Sequence, residues 1–320
     1  MKHFFLTGKL TAGLLLLAAT GCSQTAKVSA PSAASRIESV QTAPTRYRVE
    51  KDLSYYPPDF PVSGDSAYAA ERCKLDLYIP EKITKPVPVL IYFHGGGLSR
   101  GGKRFPPSHI PFPAEFILVF PNYRLSGPRA KCPAYLNDAA AAAAWTVRNI
   151  QQYGGNPRQI FISGASGGGY LAAMVGMDSR WLKPHGLDPR KCFAGILPVS
   201  GQMSTHFQIL KERGLEGKTV IDEFAPIYHA AADTAPIVLF CGQSEIEWPS
   251  RVAENEFFHA VLTQRKKHPD VRIYRIDGFN HSQVTYPAAH LLRKEMKRII
   301  QQQADAEKSV QSDPKKANAK

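Results

Sequence analysis

Short apolar runs alternate with helical patterns through the middle of the chain. Residues 75–79, Leu-Asp-Leu-Tyr-Ile, alternate in the two-residue period of a strand with one face buried. Residues 87–93 are a continuous apolar run with one proline near the start, the pattern of a strand covered on both faces. Further strands are expected at 117–120, 159–163, 194–199, 237–241 and 271–276. Helices are expected at 136–153, 167–177, 255–265 and 288–302. The first of these holds an alanine run, 139–144, between Asp138 and Trp145, and closes at Gly154-Gly155. Alternation of this kind predicts an α/β protein: a mostly parallel central sheet with helices on both faces.

The two ends read differently. Residues 1–21 have lysines at 2 and 9, an apolar stretch over 10–19 and then small residues, the layout of an export signal. The apolar stretch is too short to span a bilayer. Residues 22–46 are rich in Ser, Ala, Thr and Pro and are expected to form a flexible tether. The globular domain is expected at 47–303, followed by a disordered charged tail at 304–320.

Composition narrows the class. Hydrophobic residues are 43% and charged residues 21% of the 320, which excludes a disordered or fibrous chain for the bulk. Lys+Arg 40 against Asp+Glu 27 gives +13. The basic residues are scattered and nowhere interleaved with aromatics, so a solvated basic surface is expected and no nucleic-acid partner. Besides Cys22 there are four cysteines, at 73, 132, 192 and 241. Three pairings are open, and all four could equally be buried thiols. No cluster has metal-ligand spacing and no dinucleotide fingerprint follows a strand, so no metal and no cofactor are expected.

The chemistry concentrates in two glycine-rich turns and one histidine loop. Gly164-Ala165-Ser166-Gly167-Gly168 fits G-x-S-x-G between a predicted strand and a predicted helix. A nucleophile on that turn has strained backbone angles and close neighbouring chains, so glycine is needed on either side. His94-Gly95-Gly96-Gly97 follows the buried strand 87–93, where bare amides can hold an oxyanion. His94 is expected to brace that loop. His281 comes just after the strand 271–276 and before the last helix, the place for a base that deprotonates Ser166. A carboxylate on the loop after 237–241 would fix its tautomer. Glu245 is the first choice there, with Glu247 and Asp277 as the alternatives.

These motifs resemble the α/β-hydrolase fold, and within it the esterase/lipase group related to hormone-sensitive lipase and to the feruloyl-esterase-like BD-FAE carboxylesterases. The resemblance covers about residues 68–300 and runs in order from His94–Gly97 with Gly102-Lys103, through Asn122-Tyr123-Arg124-Leu125, Asp138, Trp145 and the 156–160 turn and strand, to the Ser166 turn and the 223–227 segment. Leu98 stands where the group commonly has Trp, and Glu245 where it usually has Asp. The resemblance implies Ser166 as nucleophile, His281 as base, a carboxylate at Glu245, and oxyanion donors on the backbone of Gly96, Gly97 and Gly167. It implies hydrolysis of small carboxylic esters through an acyl-enzyme. A formamidase or peptidase activity on the same residues, and a non-catalytic binding lipoprotein, are the alternative readings. The run ending Gly21-Cys22 resembles a bacterial lipoprotein processing site. It implies acylation of Cys22 and a membrane partner, with the chain anchored in the cell envelope on the periplasmic side of the outer membrane. The segment 105–112, with its prolines, is expected to cover the pocket.

Overall fold

The computed structural model describes residues 47–103 and 115–312. The export signal, the tether, Cys22 and the expected pocket cover at 105–112 lie outside the described residues.

The described residues build an eight-stranded sheet. Its strands are β1 (Tyr47–Ser54), β2 (Lys74–Pro80), β3 (Val87–Phe93), β4 (Ile117–Pro121), β5 (Gly155–Ala165), β6 (Gly195–Val199), β7 (Ile237–Cys241) and β8 (Val271–Arg275). Their order is β1-β2-β4-β3-β5-β6-β7-β8. β2 runs antiparallel to both its neighbours, and every other pairing after it is parallel. Helices α1 (Ser66–Arg72), α2 (Ala134–Asn149), α3 (Gly167–Met177), α4 (Ser179–Leu182), α5 (Pro189–Cys192), α6 (Phe207–Glu212), α7 (Arg251–Ala260) and α8 (Thr285–Ser312) complete it. The mostly parallel sheet with helices on both faces is therefore as expected.

The apolar runs explain the layers. β4, β6 and β7 are buried at every position, as strands covered on both faces must be. One core layer joins α2 and α3 to one face through Ala139–Ala144 and Leu171, whose small α2 side chains let that helix lie close to the strands. The other joins α8 to Leu90, Phe161 and Leu197 through Leu292, Met296 and Ile299.

A buried ion pair ties α2 to the chain after β4. The Arg124 Nε donates to Asp138 Oδ2 at 2.9 Å and its NH2 to Oδ1 at 2.7 Å. Its NH1 donates to the Ser63 carbonyl at 2.6 Å, so every side-chain nitrogen is engaged. Both side chains are fully buried.

Several features depart from the sequence reading, among them the starts of α7 at Arg251 and α8 at Thr285, ahead of the expected 255 and 288. β1 and α1 carry no clear apolar period: among the described residues β1 is outermost and pairs only with β2, while α1 is a short helix capped by Asp65, which accepts from the Tyr68 N–H at 2.7 Å. β5 begins at Gly155, ahead of the expected 159. The tail expected from residue 304 is corrected for 304–312, which continue α8 to Ser312. That segment is polar but holds no Gly or Pro, and helix propensity rather than apolar burial extends it. Cys73, Cys132, Cys192 and Cys241 are all free thiols.

Candidate active site

The site lies where the parallel strands end and their following loops meet, the usual crevice of open α/β sheets. Ser166 sits between β5 and α3 with φ 54° and ψ −118°, outside the regions that side chains ordinarily occupy. Surrounding packing holds it there. Its N–H donates to the Val199 carbonyl at 2.8 Å, and its own carbonyl accepts from the Tyr170 N–H at 3.0 Å. The flanking glycines are sterically required. A Cβ on Gly168 would stand 2.1 Å from the Phe93 carbonyl oxygen, and one on Gly164 would stand 2.5 Å from the Gly168 carbonyl.

His281 approaches from the loop between β8 and α8. Its Nε2 lies 2.9 Å from Ser166 Oγ. Its Nδ1 lies 2.5 Å from Glu247 Oε1 and 3.0 Å from Ser200 Oγ. With Nδ1 protonated and donating to the carboxylate, Nε2 is free to accept from the serine hydroxyl.

Glu245 does not reach this position. It is exposed, whereas the Glu247 side chain is fully buried. The reason is a helical turn in the loop after β7. The N–H of Glu247 donates to the Gln243 carbonyl at 2.8 Å, which returns residue 247 towards the sheet and leaves 244–246 facing outward. Asp277 is exposed as well. Burial by itself would raise the Glu247 carboxyl. The hydrogen bonds from His281 and from the backbone N–H groups of Trp248 and Gly242 outweigh burial and hold it at about 2. It is thus an anion under ordinary conditions.

Two of the expected oxyanion donors, Gly97 and Gly167, lie close together, and Gly96 and Gly97 line the cavity beside Ser166. A Cβ built on Gly167 would lie 3.4 Å from the Gly97 nitrogen, so the two glycine turns stand face to face. Gly96 has φ 112° and Gly97 φ 60°, a conformation only glycine adopts without strain. Among the described residues, the amides of Gly96, Gly97 and Gly167 donate to no backbone carbonyl. His94 stacks on the Tyr123 ring at 4.2 Å, and Tyr123 Oη donates to the His94 carbonyl at 2.8 Å. Burial pushes the His94 imidazole down to about 4, so it stays neutral and braces the loop.

The described residues line an open cavity of about 260 Å³ in front of Ser166. Phe207 and Trp248 form one wall, their rings stacked at 6.3 Å, and Arg251 lines it too. Sequence reasoning missed these three and Ser200. Ser200 follows the apolar strand β6 at the end where the site forms, and that placement was the available signal. Among the described residues no three His, Cys, Asp or Glu side chains gather in a way that would ligate a metal.

Known proteins share this architecture. The chain has the α/β-hydrolase fold. It is similar in structure to esterase B from Lactobacillus rhamnosis, with a TM-score of 0.63 at 16% identity over 82% of this chain and 90% of that one. A carbohydrate esterase from gut microbiota superposes with a TM-score of 0.64 at 17% identity over 80% of this chain and 97% of that one. The BD-FAE family model matches residues 75–235, and the chain belongs to that family. Among curated proteins it is 34% identical to carboxylesterase NlhH of Mycobacterium tuberculosis over 32% of this chain and 33% of the relative. It is 36% identical to the probable carboxylic ester hydrolase LipM of the same organism over 67% of this chain and 54% of the relative. The chain thus spans a third to about half the length of these two curated relatives.

Proposed function

We propose that this protein is a serine carboxylesterase acting on small carboxylic esters. The observation that carries the reading is the 2.9 Å approach of His281 Nε2 to Ser166 Oγ, with Glu247 on the other ring nitrogen. His281 takes the Ser166 proton as the oxygen attacks the ester carbonyl. The amides of Gly96, Gly97 and Gly167 hold the oxyanion. His281 passes its proton to the departing alcohol, leaving an acyl-serine. Water, deprotonated by His281, then attacks the acyl carbon, and His281 returns that proton to Ser166 Oγ as the acid leaves. Glu247 keeps the ring oriented and balances its charge when protonated.

The esterase names of the relatives NlhH and LipM support the same chemistry. Hydrolysis of 4-nitrophenyl butyrate tests it. Wild type turns over and labels with a fluorophosphonate, and Ser166→Ala does neither. Full activity in Ser166→Ala overturns the reading.

Export and lipidation are part of the proposal. The small residues before Cys22 support acylation there and attachment to a membrane of the bacterial envelope. Metabolic labelling with an alkyne fatty acid should mark the wild type and not Cys22→Ser.

A further inference from the structure

Arg251 is the first residue of α7 and only 3% exposed. It lines the cavity in front of Ser166. Its Nε and NH1 atoms are buried and have no hydrogen-bond partner. A buried guanidinium without acceptors costs several kcal/mol as a rule. The other buried arginine, Arg124, shows how this fold satisfies such a group when the role is structural: all three side-chain nitrogens donate, to Asp138 and to the Ser63 carbonyl. Arg293 and Arg298 each leave one nitrogen over but bond through others.

The anions near Arg251 are already engaged. Glu247 gives Oε1 to His281 and to the Trp248 N–H, and Oε2 to the Gly242 N–H. Glu254 gives Oε2 to the N–H groups of Met203 and Ser204 and to the Ser204 hydroxyl, and Oε1 to the Ser250 hydroxyl. Burial lowers the Arg251 pKa, and both carboxylates oppose that shift at a distance, yet neither accepts a hydrogen bond from the guanidinium. His206 also feels Arg251; burial first, and then that positive charge, keep its imidazole neutral, and its Nδ1 accepts from the Gln208 N–H. Arg100 adds a second, exposed positive charge to the lining. The net charge, +13 for the full sequence and 13 − 2 = +11 without Lys2 and Lys9 of the proposed export signal, favours the approach of an anion.

We propose that the site takes esters that carry a carboxylate, which the Arg251 guanidinium binds while Ser166 attacks the ester carbonyl. This rests on the carboxylesterase reading above. It adds a substrate class, monoanionic esters, for which the planar two-nitrogen fork of arginine is the matching receptor. The aromatic wall of Phe207 and Trp248 covers the apolar part of such a substrate.

The test compares charged and neutral esters of matched length at neutral pH. One arm sets mono-4-nitrophenyl adipate against 4-nitrophenyl hexanoate, placing the carboxylate on the acyl side. The other sets 3-butyryloxybenzoate against phenyl butyrate, placing it on the leaving group. In one arm the charged ester should have the higher kcat/KM by about 10- to 100-fold, the size of one or two charge-assisted hydrogen bonds. Arg251→Met should abolish that preference, and Arg251→Lys should restore part of it. Should Arg251→Met not fold, wild type decides alone: adipate should compete with 4-nitrophenyl butyrate, and hexane-1,6-diol at equal concentration should not. Equal rates in both arms, no competition by adipate, or an unchanged preference in Arg251→Met overturns the proposal and leaves the esterase standing. Turnover of no ester overturns both.

Discussion

Glu247 Oε1 lies 2.5 Å from His281 Nδ1, while Glu245, two residues earlier on the same loop, faces solvent. The two carboxylates should therefore separate cleanly. Glu247→Gln should lower kcat/KM by about 10³–10⁴-fold, the scale seen when the acid of a Ser-His-acid triad is neutralised. Glu245→Gln should stay within about twofold. Steady-state kinetics on 4-nitrophenyl butyrate distinguishes them, and comparable losses in both variants would show that the loop rearranges.

The same carboxylate links stability to pH. Its pKa in the fold, about 2, lies below the ordinary 4.5. A depressed acid contributes stability that is complete above the unfolded value and lost as pH falls towards the folded one. Urea midpoints of wild type should drop between about pH 5 and pH 2 more steeply than those of Glu247→Gln. Parallel curves would remove Glu247 from the acid transition.

Gly168→Ala should be severely destabilising. The added Cβ would stand 2.1 Å from the Phe93 carbonyl oxygen, and backbone on both sides cannot yield cheaply. A loss of about 4 kcal/mol or more, or failure to accumulate as soluble protein, is expected. Gly127→Ala is the control, since its added Cβ would meet nothing within 4 Å. Thermal melts of the two variants give the comparison.

Asp138→Ala strands a fully buried guanidinium. Breaking one side of such a pair typically costs about 3–5 kcal/mol. Urea unfolding should show this loss. Asp138→Ala with Arg124→Met should recover part of it, because the double variant leaves no charge behind.

Much of this arrangement was legible from residue order. The G-x-S-x-G turn, the three-glycine run after a buried strand and a histidine before the last helix each obey a local rule. They needed only the sheet to bring them together, and Ser166 and His281 meet as the pattern implied. The choice between Glu245 and Glu247 was not local. It depends on a single helical turn starting at Gln243, which no apolar period announces. Ser200 and Arg251 escaped notice for a related reason. Each sits at the start of a loop or helix, and its significance comes from the partner across the crevice or from the lack of one. Residues 304–312 are polar yet helical, because the segment holds no Gly or Pro to stop α8.

The outermost strands β1 and β8 carry Arg48, Lys51 and Asp52 on one margin and Arg272 and Arg275 on the other, all exposed. A neighbouring chain that tried to extend the sheet at either rim would have to strip water from these charges. Charges in that position are a common guard against one sheet templating another.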